Sequence, residues 1–153
     1  MIMKILSFVH GTGISTSMIE IIKIWFTEDC LVGLTKDGRE LKQSLLWYPD
    51  LLKADEETRN DYTFMQTGIF WNSIDTQISF ESFTYPDAMP SRLQAFFLNH
   101  PEINVAGFAK KLGLNASLMR SYINGFKTPS ADREREILGY IEQLGKGYTS
   151  FGA

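Results

Sequence analysis

The stretch from Val105 to Pro129, VAGFAKKLGLNASLMRSYINGFKTP, constrains this chain more than any other, because it specifies two short helices that must cross closely about a tight turn. Ala109 falls at the crossing, where a larger side chain would push the helices apart at an overpacking cost of about 1–3 kcal/mol. Gly113 takes the positive φ that a reversal in three or four residues requires and that a Cβ disfavours. Leu112 and Leu114 flank it and are expected to point inward. Asn115 is placed to cap the second helix, Gly125 to end it in a left-handed conformation, and Pro129 to forbid its continuation.

Spaced at 100° per residue, the second helix divides into two arcs whose centres lie about 160° apart. Leu118, Met119, Tyr122 and Ile123 share one arc; Ala116, Ser117, Arg120, Ser121 and Asn124 share the other. The first is suited to packing. The second is small and polar around a single arginine, which suits a helix pressed into a major groove: Arg120 can give bidentate hydrogen bonds to a guanine edge, and Ser117, Ser121 and Asn124 can reach bases or phosphates. With Ala109, Gly113, Met119, Tyr122, Gly125 and Pro129 at their observed spacings, the stretch resembles the lambda-repressor/Cro-like helix-turn-helix family. The resemblance implies that Asn115, Ala116, Ser117, Arg120 and Ser121 face double-stranded DNA and that Asn124 and Lys127 sit near its backbone.

The chain has 153 residues, 44% of them apolar and 22% charged, room for one domain or two small ones. Its net charge of −3 argues against nucleic acid as a partner only until the halves are separated. Residues 1–90 hold 7 Lys/Arg against 13 Asp/Glu, a balance of −6, and residues 91–153 hold 8 against 5, a balance of +3. Lys110, Lys111, Arg120 and Lys127 therefore supply phosphate attraction where the two crossed helices lie. No apolar run approaches the roughly 20 residues of a membrane span, and no secretory signal is visible, so no membrane partner is expected. A single cysteine, Cys30, excludes an intrachain disulfide and fits a reducing cytoplasm; it reads as a small packed residue.

Catalysis finds little support. His10 and His100 are the only histidines, both in turn-like contexts, and no G-x-S-x-G, H-E-x-x-H or C-x-x-C occurs. Gly11 and Gly13 in HGTG lack the rest of a phosphate-binding loop and read as a turn. No enzyme activity, metal or cofactor is expected. Trp25, Trp47, Trp71, Phe70 and Phe83 are read as the core of a small domain in preference to a ligand pocket.

The chain divides into a leader at 1–17, a small α+β domain at 18–88 and a helical domain at 89–153. A β-rich run from Ile19 to Phe26 is followed by a turn at Glu28-Asp29 and a second strand, Leu31 to Thr35. Lys36-Asp37-Gly38-Arg39 offers a two-residue type I′ hairpin turn, and Glu40 to Leu46 would return. Pro49 suits the first turn of a short helix with Leu51 and Leu52 inward. Residues 53–62 read as a solvated charged stretch, whose adjacent carboxylates Asp55, Glu56 and Glu57 fan outward. Ile69 to Trp71 and Gln77 to Phe83 read as two further strands. Asp37-Gly38, Leu51-Leu52, Trp71, Asp75 and Ile78 to Phe83, in this order, resemble the bacterial family of domains of unknown function numbered 2442. That family is similar to a short α+β unit without catalytic residues. It occurs alone or fused to a repressor-like helix-turn-helix, and some members lie beside small toxin proteins, which implies an antitoxin role.

Tyr85 to Pro90 is the expected linker. Ser91 and Gln94 have capping-box spacing for a helix ending near Asn99, with Leu93, Phe96 and Phe97 inward. Asn104 can cap the next helix. Ser130 can cap a last one carrying Ile137, Leu138, Ile141 and Leu144 and ended by Gly145. The expected architecture is α+β: antiparallel strands with one or two helices, then an all-α domain of the repressor-like kind. The expected function is a DNA-binding transcriptional regulator, working as a homodimer. The alternative is a protein-interaction module, such as an antitoxin that neutralises a small toxin.

Overall fold

The computed structural model describes residues 18–152. The expected leader, including HGTG and His10, lies outside the described residues. The chain forms two compact units that divide between Pro90 and Ser91, two residues past the boundary that the proline-rich segment suggests.

The first unit contains two antiparallel three-stranded sheets. Strands β1 (Ile21–Phe26), β2 (Cys30–Thr35) and β3 (Glu40–Ser44) pair in sequence order. So do β4 (Thr63–Phe64), β5 (Gly68–Trp71) and β6 (Thr76–Ser79). Between the sheets in sequence run a 3-10 turn (Leu45–Trp47) and two short helices, α1 (Pro49–Leu52) and α2 (Glu56–Asn60). Ile21, Leu31, Leu45, Leu51, Ile69, Trp71, Ile78 and Phe83 fill the core. Gly33 on the central strand β2 permits this packing: a Cβ there would stand 3.0 Å from the Phe83 ring and 3.1 Å from Ile21. Trp71 and Phe83 are buried, whereas Trp25, Trp47 and Phe70 are half-buried.

Several local expectations are corrected. Only Gly38 of the Asp37-Gly38 pair has positive φ, at 93°, so the turn is not type I′. Gly38 N–H donates to Thr35 O at 3.0 Å and Thr35 N–H to Arg39 O at 2.8 Å, the pattern of a three-residue loop with a glycine bulge. Side chains hold it so: Thr35 Oγ1 accepts the Arg39 N–H at 2.8 Å and donates to Asp37, while Arg39 Nε donates to Asp37 Oδ1 at 3.2 Å. Strand β3 stops at Ser44 because the Ser44 hydroxyl accepts the Leu46 N–H at 3.1 Å and starts the 3-10 turn. Leu52 is 37% exposed, because the four-residue α1 presents only Leu51 inward.

The charged stretch after α1 is not merely solvated. Asp55 caps α2 by accepting the Thr58 N–H at 2.8 Å, and its neighbours Glu56 and Glu57 face water as expected. Arg59, on the same helix, donates to Leu51 O and Leu52 O, each at 3.0 Å, with its guanidinium 4.9 Å from the Phe26 ring centroid. The pattern over 77–83 breaks after Ser79, where the chain enters a 3-10 turn (Glu81–Thr84), and β4 has no counterpart in the sequence reading. Nor is Tyr85 to Pro90 wholly a spacer. Ala88 is buried and accepts the Ser44 N–H at 2.9 Å, and the Trp47 indole donates to Asp87 O at 3.0 Å, so the segment is tied to β3 and the turn after it.

The second unit is four helices, α3 (Arg92–Asn99), α4 (Val105–Lys111), α5 (Ala116–Asn124) and α6 (Ala131–Ser150). Ser91 and Gln94 form the expected capping box, and Asn104, Asn115 and Ser130 cap the other three helices. Leu93, Phe97, Phe108, Ala109, Met119, Tyr122 and Ile137 form the core; Phe96 is half-buried against it. Phe97 meets Phe96 and Phe108 edge to face, at 5.2 and 5.0 Å between centroids. Helix α6 does not end at Gly145 but runs to Ser150. Glycine lowers helix stability by about 1 kcal/mol relative to alanine without blocking helical dihedrals, and neither Gly145 nor Gly147 takes positive φ.

Candidate nucleic-acid interface

The turn joining α4 to α5 is a Schellman motif built on glycine. Gly113 stands at φ 71°, its N–H donating to Lys110 O at 3.1 Å, while Leu114 N–H donates to Ala109 O at 2.8 Å. These bonds satisfy carbonyls that the end of α4 would otherwise leave unpaired. Ala109 is completely buried, and Leu112 and Leu114 are half-buried against the core. Asn115 Oδ1 then accepts the Ser117 and Leu118 N–H groups at 2.7 and 3.4 Å and starts α5.

Helix α5 sorts its residues as 100° spacing requires. Met119 and Tyr122 are buried, Leu118 and Ile123 are half-buried against the same core, and Ser117 and Arg120 are exposed. Among the other site residues predicted from sequence, Asn115 and Lys127 are exposed, and Ala116, Ser121 and Asn124 are half-buried. Three of the polar groups already have local roles. Besides the Asn115 cap, Ser121 Oγ donates to Ser117 O at 3.0 Å, and Asn124 Oδ1 accepts the Phe126 N–H at 3.1 Å. Ser121 and Asn124 therefore keep only part of their hydrogen-bonding capacity for a ligand. At the end of the helix Gly125 turns left-handed at φ 87°, and Lys127 N–H donates to Ser121 O at 3.1 Å, which folds Lys127 back over the last turn of α5. Lys110 and Lys111, in the last turn of α4, are also exposed.

Arg120 and Lys127 are thus carried by backbone that caps and turn bonds hold in place. Phe126, 43% exposed, lies outside the residues expected to face a ligand; its signal in the sequence is an aromatic directly after a helix-ending glycine, beyond the helical arcs.

The first unit offers less chemistry. One shallow groove is lined by Asp50, Lys53, Ala54, Asp55, Thr58 and Ile74, another by residues around the Thr35–Arg39 turn. One carboxylate in each has perturbed acidity, for local reasons. The Thr35 hydroxyl, with Arg39 beside it, holds Asp37 below its ordinary value, and the Thr58 amide does the same for Asp55. Cys30 is buried and its thiol is pushed up, first by burial and then by Asp29, which opposes formation of a nucleophilic thiolate. Among the described residues no group of three His, Cys, Asp or Glu side chains is placed to hold a metal ion, and no helix is long and apolar enough to cross a membrane.

No curated protein and no solved structure matches the chain. A family profile does match, over residues 21–99, from the first residue of β1 to the last of α3. It stops short of α4, α5 and α6. That span is just over half of the 153 residues, and the chain belongs to the family described as "Protein of unknown function (DUF2442)".

Proposed function

We propose that the second unit binds double-stranded DNA and that the chain is a sequence-specific regulator of the repressor-like helix-turn-helix kind. The observation that carries this reading is the two-sidedness of α5, with Met119 and Tyr122 buried and Ser117 and Arg120 exposed, flanked by the exposed cations Lys110, Lys111 and Lys127. In this reading the Asn115 to Asn124 segment enters the major groove, Arg120 reads a guanine edge, and Lys127 meets a phosphate. A homodimer would place two such helices on half-sites about one DNA turn apart. The acidic first unit, at −6 over residues 1–90, opposes non-specific binding through long-range repulsion that salt screens. The function is one of binding, not of catalysis.

Fluorescence anisotropy of the full chain against pooled genomic fragments, across a salt series, tests the proposal. Salt-sensitive binding to a subset of fragments that survives competitor DNA is the expected result. On a selected fragment Arg120→Ala should cost about 1–3 kcal/mol and relax preference at one base position, while Lys127→Ala should weaken all sequences alike and reduce the salt slope by about one. Equal losses for Arg120→Ala on selected and random DNA would remove the base-reading role. Absence of binding even at low salt would remove the DNA reading and leave a protein-interaction role, such as neutralisation of a small toxin, to be sought by copurification.

A further inference from the structure

Phe126 has a fixed backbone and a side chain that stays partly exposed. The positive φ of Gly125, the bond from Phe126 N–H to Asn124 Oδ1 and the bond from Lys127 N–H to Ser121 O define the path of the chain on both sides of it. Yet the residue is 43% exposed and belongs to neither the buried nor the half-buried shell of the unit's core. It lies between Gly125 and Lys127 in sequence, just past the end of the helix whose outer face carries Arg120. An exposed apolar ring on a fixed backbone, next in sequence to a cation, suits a partner that alternates charged and apolar groups at short range. The DNA backbone does so, because each deoxyribose lies between two phosphates.

We infer that the Phe126 ring packs on a deoxyribose of the strand whose phosphate Lys127 meets, an assignment that rests on the DNA-binding reading above. Such a contact is distinguishable from its neighbours by its physics. It releases no condensed counterions, so it adds affinity at every salt concentration alike, whereas the contribution of Lys127 fades as salt rises. It also touches no base, so it adds affinity on every sequence.

The test compares full-length wild type, Phe126→Ala and Phe126→Leu on a selected duplex and on a random duplex across a salt series, with thermal unfolding of each variant. Phe126→Ala is expected to bind both duplexes about fivefold more weakly, the loss of a partly buried ring. Its plot of log affinity against log salt should run parallel to that of wild type, its melting temperature should be unchanged, and Phe126→Leu should recover part of the loss. Unchanged affinity would overturn the assignment, as would a flatter salt slope or a lowered melting temperature. A loss confined to the selected duplex would overturn it in favour of a base contact such as a thymine methyl. Failure of wild type to bind any DNA would overturn the DNA-binding reading itself, whereas binding by wild type with no loss in Phe126→Ala overturns this assignment alone.

Discussion

The two units solve the problem of buried polar groups in opposite ways. In the first, polar atoms go into the interior and are satisfied there: Tyr48 Oη donates to Gln43 Oε1 at 2.7 Å, Gln43 Nε2 donates to Ser82 Oγ at 3.0 Å, and Ser82 Oγ donates to Ser79 O at 2.7 Å. The Trp71 indole donates to Arg59 O at 2.9 Å, and the Trp47 indole to Asp87 O. In the second unit the exposed side chains of Ser91, Asn104, Asn115 and Ser130 cap helix ends, and among the described residues Gln94 is the buried polar residue that spans the core, donating to Tyr122 O at 3.3 Å. Short strands and 3-10 turns leave irregular backbone inside a sheet-built unit, and buried side chains must pair with it. Helices satisfy their own interiors, so only their termini need partners.

This contrast can be broken at particular residues. All three tryptophans lie in the first unit, so their fluorescence reports its unfolding, while the helical circular dichroism reports mainly the second. The largest effect is expected for Trp71→Ala, which empties a fully buried site and orphans the Arg59 carbonyl; it should cost the first unit about 3–5 kcal/mol, seen as an early fluorescence transition with little change in the helical one. A shared loss in both signals would show that the units do not unfold independently. Next is Ala109→Leu, which forces side-chain volume into the completely buried contact of α4 and α5 and should cost the second unit about 1–3 kcal/mol, again with the opposite transition unmoved.

Tyr48→Phe sharpens the comparison through pH. Burial pushes the Tyr48 hydroxyl well above its ordinary value, with nearby Tyr85 and Asp87 adding to the shift. A pKa raised on folding contributes stability that is complete below the unfolded value, about 10, and is lost as pH rises from there toward the folded value. The first unit should therefore weaken above about pH 10. Tyr48→Phe should cost about 1 kcal/mol at neutral pH, through the lost bond to Gln43, and should flatten that alkaline decline; an unchanged decline would assign it to other groups, Tyr85 first, whose hydroxyl burial pushes up to about 12. The smallest effect is a gain. A Cβ at Gly145 meets nothing within 4 Å, so Gly145→Ala should stabilise α6 by about 0.5–1 kcal/mol, visible as a rise in the helical transition alone.

The second unit was the more legible from sequence, and the reason is locality. Capping at Ser91, Asn104, Asn115 and Ser130, the Gly113 turn, the Gly125 stop and the two arcs of α5 are each set by residues within a few positions of one another, so pattern and chemistry suffice. Gly145 misled because glycine marks a helix end only when the chain needs positive φ there, and α6 does not. In the first unit the β1–β2–β3 meander and the burial of Trp71 were legible, but three features were not: β4 is two residues long, too short to carry a pattern; Arg59 reaches back to the carbonyls of Leu51 and Leu52, beyond one helical turn; and Ala88 docks on Ser44, a partner distant in sequence.

At the candidate interface, which residues share a helical face and where each helix begins follow from the chain alone, because backbone sterics and side-chain caps act over one or two turns. How much of each group is left to meet a ligand depends on packing. Ser121 spends its hydroxyl proton and Asn124 its side-chain oxygen on nearby backbone, Arg120 and Lys127 stand exposed, and Phe126, next to Lys127, keeps 43% of its surface open. Exposure and remaining hydrogen-bonding capacity are properties of the packed surface, which the spacing of residues along a chain does not contain.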